Sequence, residues 1–512
     1  MTKFDDKPTL SLAKAVQIKA KRPKGPRKIK AGTLRDPKRD RHDGNKSGRS
    51  RPSGRDTGSH KPIRLERVAN LPANRMAAYE VAALVILHDH YLDKALAEND
   101  RLQKLYASDR QFVRLLVTSL LRHHRQLADL LDDYVQRTPP ADAMLILMMG
   151  AAQLLILKTP THAALSTSVD LMRAAGFEHM TGMTNAVLRK VSSLKVDFHA
   201  PEGLAKNIAP QILSAWHKAY GKARVDAFLP QLFSTPKIDL TFADADKAKQ
   251  MAEKMDGHYI APLSVRAPLG GTITDWPGFE DGEWWVQDIA AAMPANLLGD
   301  VAQKRVIDMC AAPGGKTAQL IAGGAKVTAL EIDPKRANRL SENLKRLKQS
   351  CIIEVTDALD YTPDGKYDAV LLDAPCSATG TIRKRPDVMR KDISDDLALL
   401  PDMQKQMARR ALSWLHRDGI LIYATCSLQA EEGEDVIASL TTGPRAVARL
   451  VPITEEEAGP FANALRDDGT LRLLPDSYLA PQMNDKSDDK ADDITASNHG
   501  NDGFFIARLQ QI

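Results

Sequence analysis

An α/β fold with an all-α domain ahead of it is what this sequence predicts, and two patterns carry the prediction. From Arg305 onward, short apolar runs (Arg305–Met309, Lys326–Leu330, Ile352–Val355, Ala369–Leu372 and Ile420–Ala424) are separated by helical segments. That alternation builds a parallel sheet with helices on both faces. From about Arg75 to Ser193 the apolar spacing is instead three and four residues, as in Phe112, Leu115, Leu116, Leu120, Leu127, Leu130, Leu131 and Val135, which is one buried helical face. At 512 residues the chain has room for two or three domains with sizeable cores.

Taken in order, residues 1–64 hold 20 Lys and Arg against 6 Asp and almost no aromatics. Such a segment buries too little apolar surface to offset its chain entropy, so a disordered basic tail is expected. It reads either as an arm for nucleic-acid phosphates or as a solubilising tail. The whole chain is only +6, so the remainder is slightly acidic. Residues 65–196 form the all-α domain, with helical patterns over Arg75–Leu96, Asp142–Leu157, His162–Ala175 and Thr184–Ser193 and breaks at Pro139-Pro140, Pro160 and Gly176. Residues 197–300 form a small α+β subdomain: helices over Pro210–Tyr220 and Lys222–Leu232, the strand-like Lys237–Phe242, a further helix, and a Gly, Pro and Trp-rich stretch. Residues 301–512 hold the α/β sheet. Asn484–Asp493 reads as an acidic flexible loop, and Gly503–Leu509 as a closing edge strand.

Hydrophobic residues at 43% and charged residues at 27% are ordinary for a globular protein. The four cysteines, Cys310, Cys351, Cys376 and Cys426, are too few for a disulfide scaffold, and none has metal-ligand spacing. We therefore expect a cytoplasmic protein with no metal. The longest apolar stretch, Ala143–Leu157, is too short to span a bilayer, and no apolar segment typical of a secretory leader follows the start; no membrane partner is expected.

Open α/β sheets bind ligands at the carboxyl ends of their strands, and here those ends carry reactive residues. The first is followed by Asp308 and the loop Cys310-Ala311-Ala312-Pro313-Gly314-Gly315-Lys316, whose glycines let backbone approach a ligand at a helix start. A tight turn alone would also account for those glycines, and the spacing of a phosphate-binding P-loop is absent. Glu331 after the second strand is an acid suited to ribose hydroxyls, and Asp357 after the third is placed to meet an adenine edge. Asp373 and Cys376 follow the fourth, and Cys426 the fifth. Cys310 and Cys351 read as inert core thiols. Cys376 and Cys426 face one cleft, as a catalytic pair or a redox pair. Two thiols suit cytosine C5 methylation: one adds to C6 so that C5 becomes enamine-like, and the proton on C5 must then leave. Asp373 could hold a proton toward N3 of the base.

The segments Val306–Thr317, Asp373–Gly380 with Thr381-Ile382-Arg383, and Tyr423–Ser427 resemble the signatures of the RNA m5C methyltransferase family. The resemblance covers about residues 205–512 and implies a Rossmann-like, class I fold binding S-adenosylmethionine. It implies Cys426 as nucleophile, Cys376 as the thiol assisting release, and the Cys310–Lys316 loop with Glu331, Asp357 and Asp373, joined by Arg336, as cofactor ligands. Asp288 resembles that family's entry to the catalytic domain, and Asp502-Gly503-Phe504-Phe505 its closing strand. Ser168–Leu171 and Thr184–Lys190 resemble the end of a NusB-like RNA-binding domain. That fusion is the arrangement of bacterial small-subunit rRNA methyltransferases, so the implied partner is RNA, most simply 16S rRNA, met by a monomer. The basic tail and acidic loop are additions to that pattern. A tRNA substrate, an inert antitermination factor, and an N- or O-methyltransferase are the competing readings. Arg383, Lys384 and Arg385 read as phosphate contacts or as a solvated charge run.

Overall fold

The computed structural model describes residues 65, 66, 68, 70–268, 271–478 and 499–512; the basic tail and the acidic loop at 484–493 lie outside them. Helices Ala73–Ile86, Ala107–Arg122, Ala141–Leu155, Thr161–Ala174 and Thr181–Val191 pack around one core. Helix Ala141–Leu155 is its centre, buried at twelve positions, because its sequence is apolar on every side. Two helical patterns are each split in the structure. The first breaks after Ile86, where Asp89 takes a positive φ of 59° and Lys391 donates to the Asp89 carbonyl (2.6 Å) and carboxylate (2.9 Å). The second breaks at His123, whose buried ring lies edge-on to Phe198 at 5.3 Å.

A small antiparallel sheet follows, made of β1 (Ile238–Phe242), β2 (His258–Ile260), β3 (Ser264–Ala267) and β4 (Trp284–Val286) in the order β2-β3-β1-β4. The large sheet contains β5 (Arg305–Met309), β6 (Lys326–Glu331), β7 (Ile352–Val355), β8 (Tyr367–Asp373), β9 (Leu415–Thr425), β10 (Ala448–Leu450) and β12 (Phe504–Gln511), ordered β10-β12-β9-β8-β5-β6-β7, with β11 (Leu471–Leu473) also paired to β12. Strands β5 to β9 run parallel, and the order reverses beside β5, the switch point where such sheets bind ligands. Helix Ile289–Asn296, which the sequence reading placed before the boundary at 300, packs on this sheet with Val306, Leu371 and Ile422.

Two expectations are corrected. The closing strand is not an edge: β12 pairs antiparallel with β9 on one side and with β10 and β11 on the other. Those two partners are three residues each, too short to show a period. Arg383 is closed off from phosphates, and Lys384, though partly exposed, is already paired with two carboxylates. Arg383 is 1% exposed and pairs with Asp288 at 3.1 Å; Lys384 pairs with Asp288 and, at 3.0 Å, with Asp502. Lys384 and Arg383 together hold the Asp288 carboxyl well below the usual carboxylate range, against the effect of its burial. Arg385 stands 3.5 Å from Asp93 of the helical domain. The charge run is visible in sequence, but its counter-charges come from distant segments. The same stretch fastens the helical domain to the sheet, with Arg122 donating to the Arg383 carbonyl (2.9 Å) and the Leu92 N–H to Asp387 (3.0 Å).

Candidate active site

The loop after β5 is shaped by its backbone and held from above. Cys310 has φ 63° and Gly314 φ 105°, and a Cβ on Gly314 would stand 2.4 Å from Leu340, so glycine is required there. Arg336 Nη2 donates to the Ala312 carbonyl at 2.7 Å and Asn343 to the Pro313 carbonyl at 2.8 Å. Both sit on helix Pro334–Arg346, whose start is fixed by Asp333 capping the Lys335 and Arg336 amides and by Pro334 in its first turn. Burial pushes the Cys310 thiol well above its ordinary value and the Cys351 thiol up to about 11, as expected of inert thiols.

Glu331 ends β6 with its two oxygens in different situations. Oε1 accepts from the Asp333 amide (3.0 Å) and from Arg336 (3.3 Å). Oε2 is buried with no hydrogen-bond partner. Buried acceptors are nearly always satisfied, so this oxygen fits a ligand hydroxyl group. Asp357 lies buried just past β7, one oxygen accepting from the Leu359 amide at 2.9 Å. Asp373, at the end of β8, accepts from Lys316 Nζ at 2.8 Å. Burial acts against the charge on Lys316, but attraction to Asp373, with lesser contributions from Asp308 and Cys426, more than offsets it and raises its pKa. A positive charge therefore stands beside Asp373, with Cys426 within range of its attraction. The Lys316 ammonium also lies 5.3 Å from the centre of the Phe504 ring.

Cys376 and Cys426, fifty residues apart, meet with their sulfurs 3.4 Å from each other. The loops that carry them are tied together by backbone: the Ala374 amide donates to the Ala424 carbonyl (2.8 Å), the Gly380 amide to the Cys426 carbonyl (2.9 Å), and the Gly503 amide to the Gly380 carbonyl (2.8 Å). Beneath them lies a group that the sequence reading missed. Glu432 is fully buried and accepts from the Ser377 amide at 2.9 Å, from the Ser377 hydroxyl, and from Gln404 at 3.1 Å. In sequence it sits in the run Glu431-Glu432-Gly433-Glu434-Asp435, which looks like solvated acid, so no local signal marks it.

Asp308, inside β5, gives this end of the sheet a titration. Its Oδ2 accepts from Thr317 at 2.6 Å, and burial, opposed by that bond and by Lys316, pushes its carboxyl up to about 7. An unfolded Asp releases its proton near pH 3.9, about the reference value. Between those limits the folded chain holds the extra proton, so stability from this group is full below the lower limit and is lost as pH rises through the upper one. The variant Asp308→Asn should flatten that part of the stability profile, read as urea midpoints at successive pH values. An unchanged slope would count against a protonated Asp308.

The loop, Glu331, Asp357 and Asp373 line successive strand ends, as a nucleoside-bearing ligand requires. Among the described residues no group of His, Cys, Asp and Glu is placed to hold a metal ion, and no helix is long and apolar enough to cross a membrane. Residues 295–510 match the family model of the 16S rRNA methyltransferase RsmB/F, and residues 72–193 that of the NusB family. The ribosomal RNA small subunit methyltransferase B of Xylella fastidiosa (strain 9a5c) is 30% identical over 448 residues, 85% of this chain and 99% of that protein. Its namesake in Xanthomonas campestris pv. campestris is 33% identical over 349 residues, 64% of this chain and 78% of that one. The crystal structure of PH0851 matches with a TM-score of 0.64 at 19% identity, covering 87% of this chain and all of that one, a likeness of fold. On the sequence matches together with the arrangement of the two domains, the chain belongs to the RsmB/F family of 16S rRNA methyltransferases, with S-adenosylmethionine as methyl donor.

Proposed function

We propose that this protein methylates C5 of one unpaired cytosine of 16S rRNA through a covalent bond between Cys426 and C6 of the base. The observation that carries the reading is the 3.4 Å approach of the Cys376 and Cys426 sulfurs at the ends of neighbouring strands. An N- or O-methyltransferase has no use for two converging thiols, and an inert RNA-binding factor has no use for either.

The loop Cys310–Lys316, Glu331, Asp357 and Asp373 hold the donor. Glu331 Oε2, buried without a partner, takes the ribose hydroxyls, and Asp357 takes the adenine edge. Bound there, S-adenosylmethionine supplies an electrophilic methyl group on its sulfonium. The Cys426 thiolate adds to C6, within range of the Lys316 charge. A proton taken up from water at N3 and hydrogen-bonded to the Asp373 carboxylate neutralises the negative charge that addition pushes into the ring, and it leaves again as the product forms. C5, now enamine-like, takes the methyl group, and Cys376, having given its own proton to solvent, accepts as a thiolate the proton that C5 must lose. The electron pair of that C–H bond restores the C5–C6 double bond and expels Cys426 as thiolate. The base must be out of any helix stack, because the thiol and the methyl donor approach opposite faces of one double bond.

Purified protein incubated with 16S rRNA and methyl-labelled donor should place the label in 5-methylcytidine, read by nucleoside mass spectrometry. Label in N4-methylcytidine, or in tRNA in preference to rRNA, would refute the reading.

A further inference from the structure

We propose that Glu432 is a positioning residue that holds the two cysteine loops in the register from which Cys376 and Cys426 work; the proposal rests on the covalent reading above. The carboxylate holds one loop directly and the other through a pair of serine hydroxyls. On the Cys376 side it accepts from the backbone amide and hydroxyl of Ser377, the adjacent residue. On the Cys426 side the link runs through that same Ser377 hydroxyl, which lies 3.0 Å from the hydroxyl of Ser427, again the adjacent residue. Ser427 Oγ in turn accepts from the Gln429 amide at 3.0 Å. Thr379, 3.3 Å from Ser427, accepts from the Leu428 amide at 2.9 Å.

A third element joins at the same carboxylate. Gln404, on helix Ser394–Trp414, donates from one Nε2 to Glu432 (3.1 Å) and to the Pro375 carbonyl (2.8 Å), the residue before Cys376. Tyr423 in β9 donates to the Glu432 main-chain carbonyl at 2.7 Å. Glu432, Gln404 and Ser427 are all 0% exposed, so these bonds form away from bulk water, where each is worth more. Burial raises the Glu432 carboxyl, while Ser377, Ser427 and Gln404 pull it back down. The hydrogen bonds of Glu432 act on the residues next to the cysteines, on Ser377 directly and on Ser427 through Ser377.

Active groups tolerate little displacement, and an error of an ångström costs about 10²-fold in rate. The variants Glu432→Gln and Glu432→Ala should therefore lower kcat on 16S rRNA, Ala by about 10²-fold and Gln by less, while KM for S-adenosylmethionine stays unchanged. A second readout needs no RNA and no turnover. The dithiol oxidant diamide, which takes one hydrogen from each thiol, should close the Cys376–Cys426 disulfide quickly in the wild type and slowly in the Ala variant, followed by peptide mass spectrometry. If the Ala variant does not fold, the Gln variant carries both measurements. Wild-type kcat together with wild-type disulfide rates would overturn the proposal, as would a fall in kcat matched by equal changes in KM and melting temperature. Failure of the covalent reading shows separately: it is the absence of any RNA adduct in Cys376→Ala protein with Glu432 intact, whatever the disulfide rates.

Discussion

Cys426→Ala is expected to lose methylation and to form no bond with RNA, whereas Cys376→Ala is expected to lose turnover yet accumulate a protein–RNA adduct. The two sulfurs are 3.4 Å apart and lie on neighbouring loops, with Cys376 buried and Cys426 partly exposed; the order of events gives them different roles. Without Cys426 nothing adds to C6, and C5 stays too weak a nucleophile to take the methyl group. Loss of a covalent nucleophile costs on the order of 10⁶-fold in kcat. Without Cys376 the addition and methyl transfer still occur, but the C5 proton is not removed and Cys426 cannot leave. The trapped species should survive denaturation, appear as a slow band on a denaturing gel, and identify the target once its RNA is sequenced. If neither variant traps RNA under conditions where the wild type methylates it, the covalent mechanism is wrong for this protein.

Gly380→Ala should be nearly as damaging, for steric reasons. A Cβ at this position would stand 2.2 Å from the Gly503 carbonyl oxygen, 2.7 Å from its carbon and 2.8 Å from the Cys426 carbonyl oxygen. All three are backbone atoms and cannot rotate away. Gly380 also donates to the Cys426 carbonyl and accepts from the Gly503 amide, so relieving the clash breaks bonds that fix the nucleophile's own peptide. Overpacking of this kind costs about 3 kcal/mol, and the displaced Cys426 should lower kcat further than the lost stability explains. Urea denaturation and single-turnover methylation measure the two effects. A variant as stable and as fast as the wild type would show that the three segments can separate freely.

Much of this site is legible from the chain because its residues occupy strand ends. The apolar runs at Arg305–Met309 and Ile352–Val355 coincide with β5 and β7; β5 is buried along nearly its whole length, as a central parallel strand requires, whereas β7 lies largely exposed at the sheet edge. Their ends therefore mark the loops, and Cys310–Lys316, Glu331, Asp357, Asp373, Cys376 and Cys426 follow from reading those ends in turn. The helices Pro210–Tyr220 and Lys222–Phe233 are equally plain, since Pro210 opens the first and Gly221 separates the two.

Charge was where sequence misled. Arg383 and Lys384 look like a phosphate contact, yet they are spent on Asp288 and Asp502; Glu432 looks like surface acid, yet it lies at the centre of the cysteine loops. A carboxylate or guanidinium has the same local signature whether water or a distant counter-group solvates it. The closing strand misled similarly, its outer partners β10 and β11 being too short to announce themselves.

The sequence by itself determined the order of layers, the strand ends, the family and the chemical types at each position, because hydrophobic period and backbone-demanding glycines are local properties. Only the tertiary structure decided how closely the two strand-end thiols approach, which acid lies buried beneath their loops, which oxygen of Glu331 has no partner, and which cations are already engaged. Each of those depends on distances between segments tens to hundreds of residues apart, and those distances are fixed by packing of the whole sheet and its helices, not by neighbours along the chain.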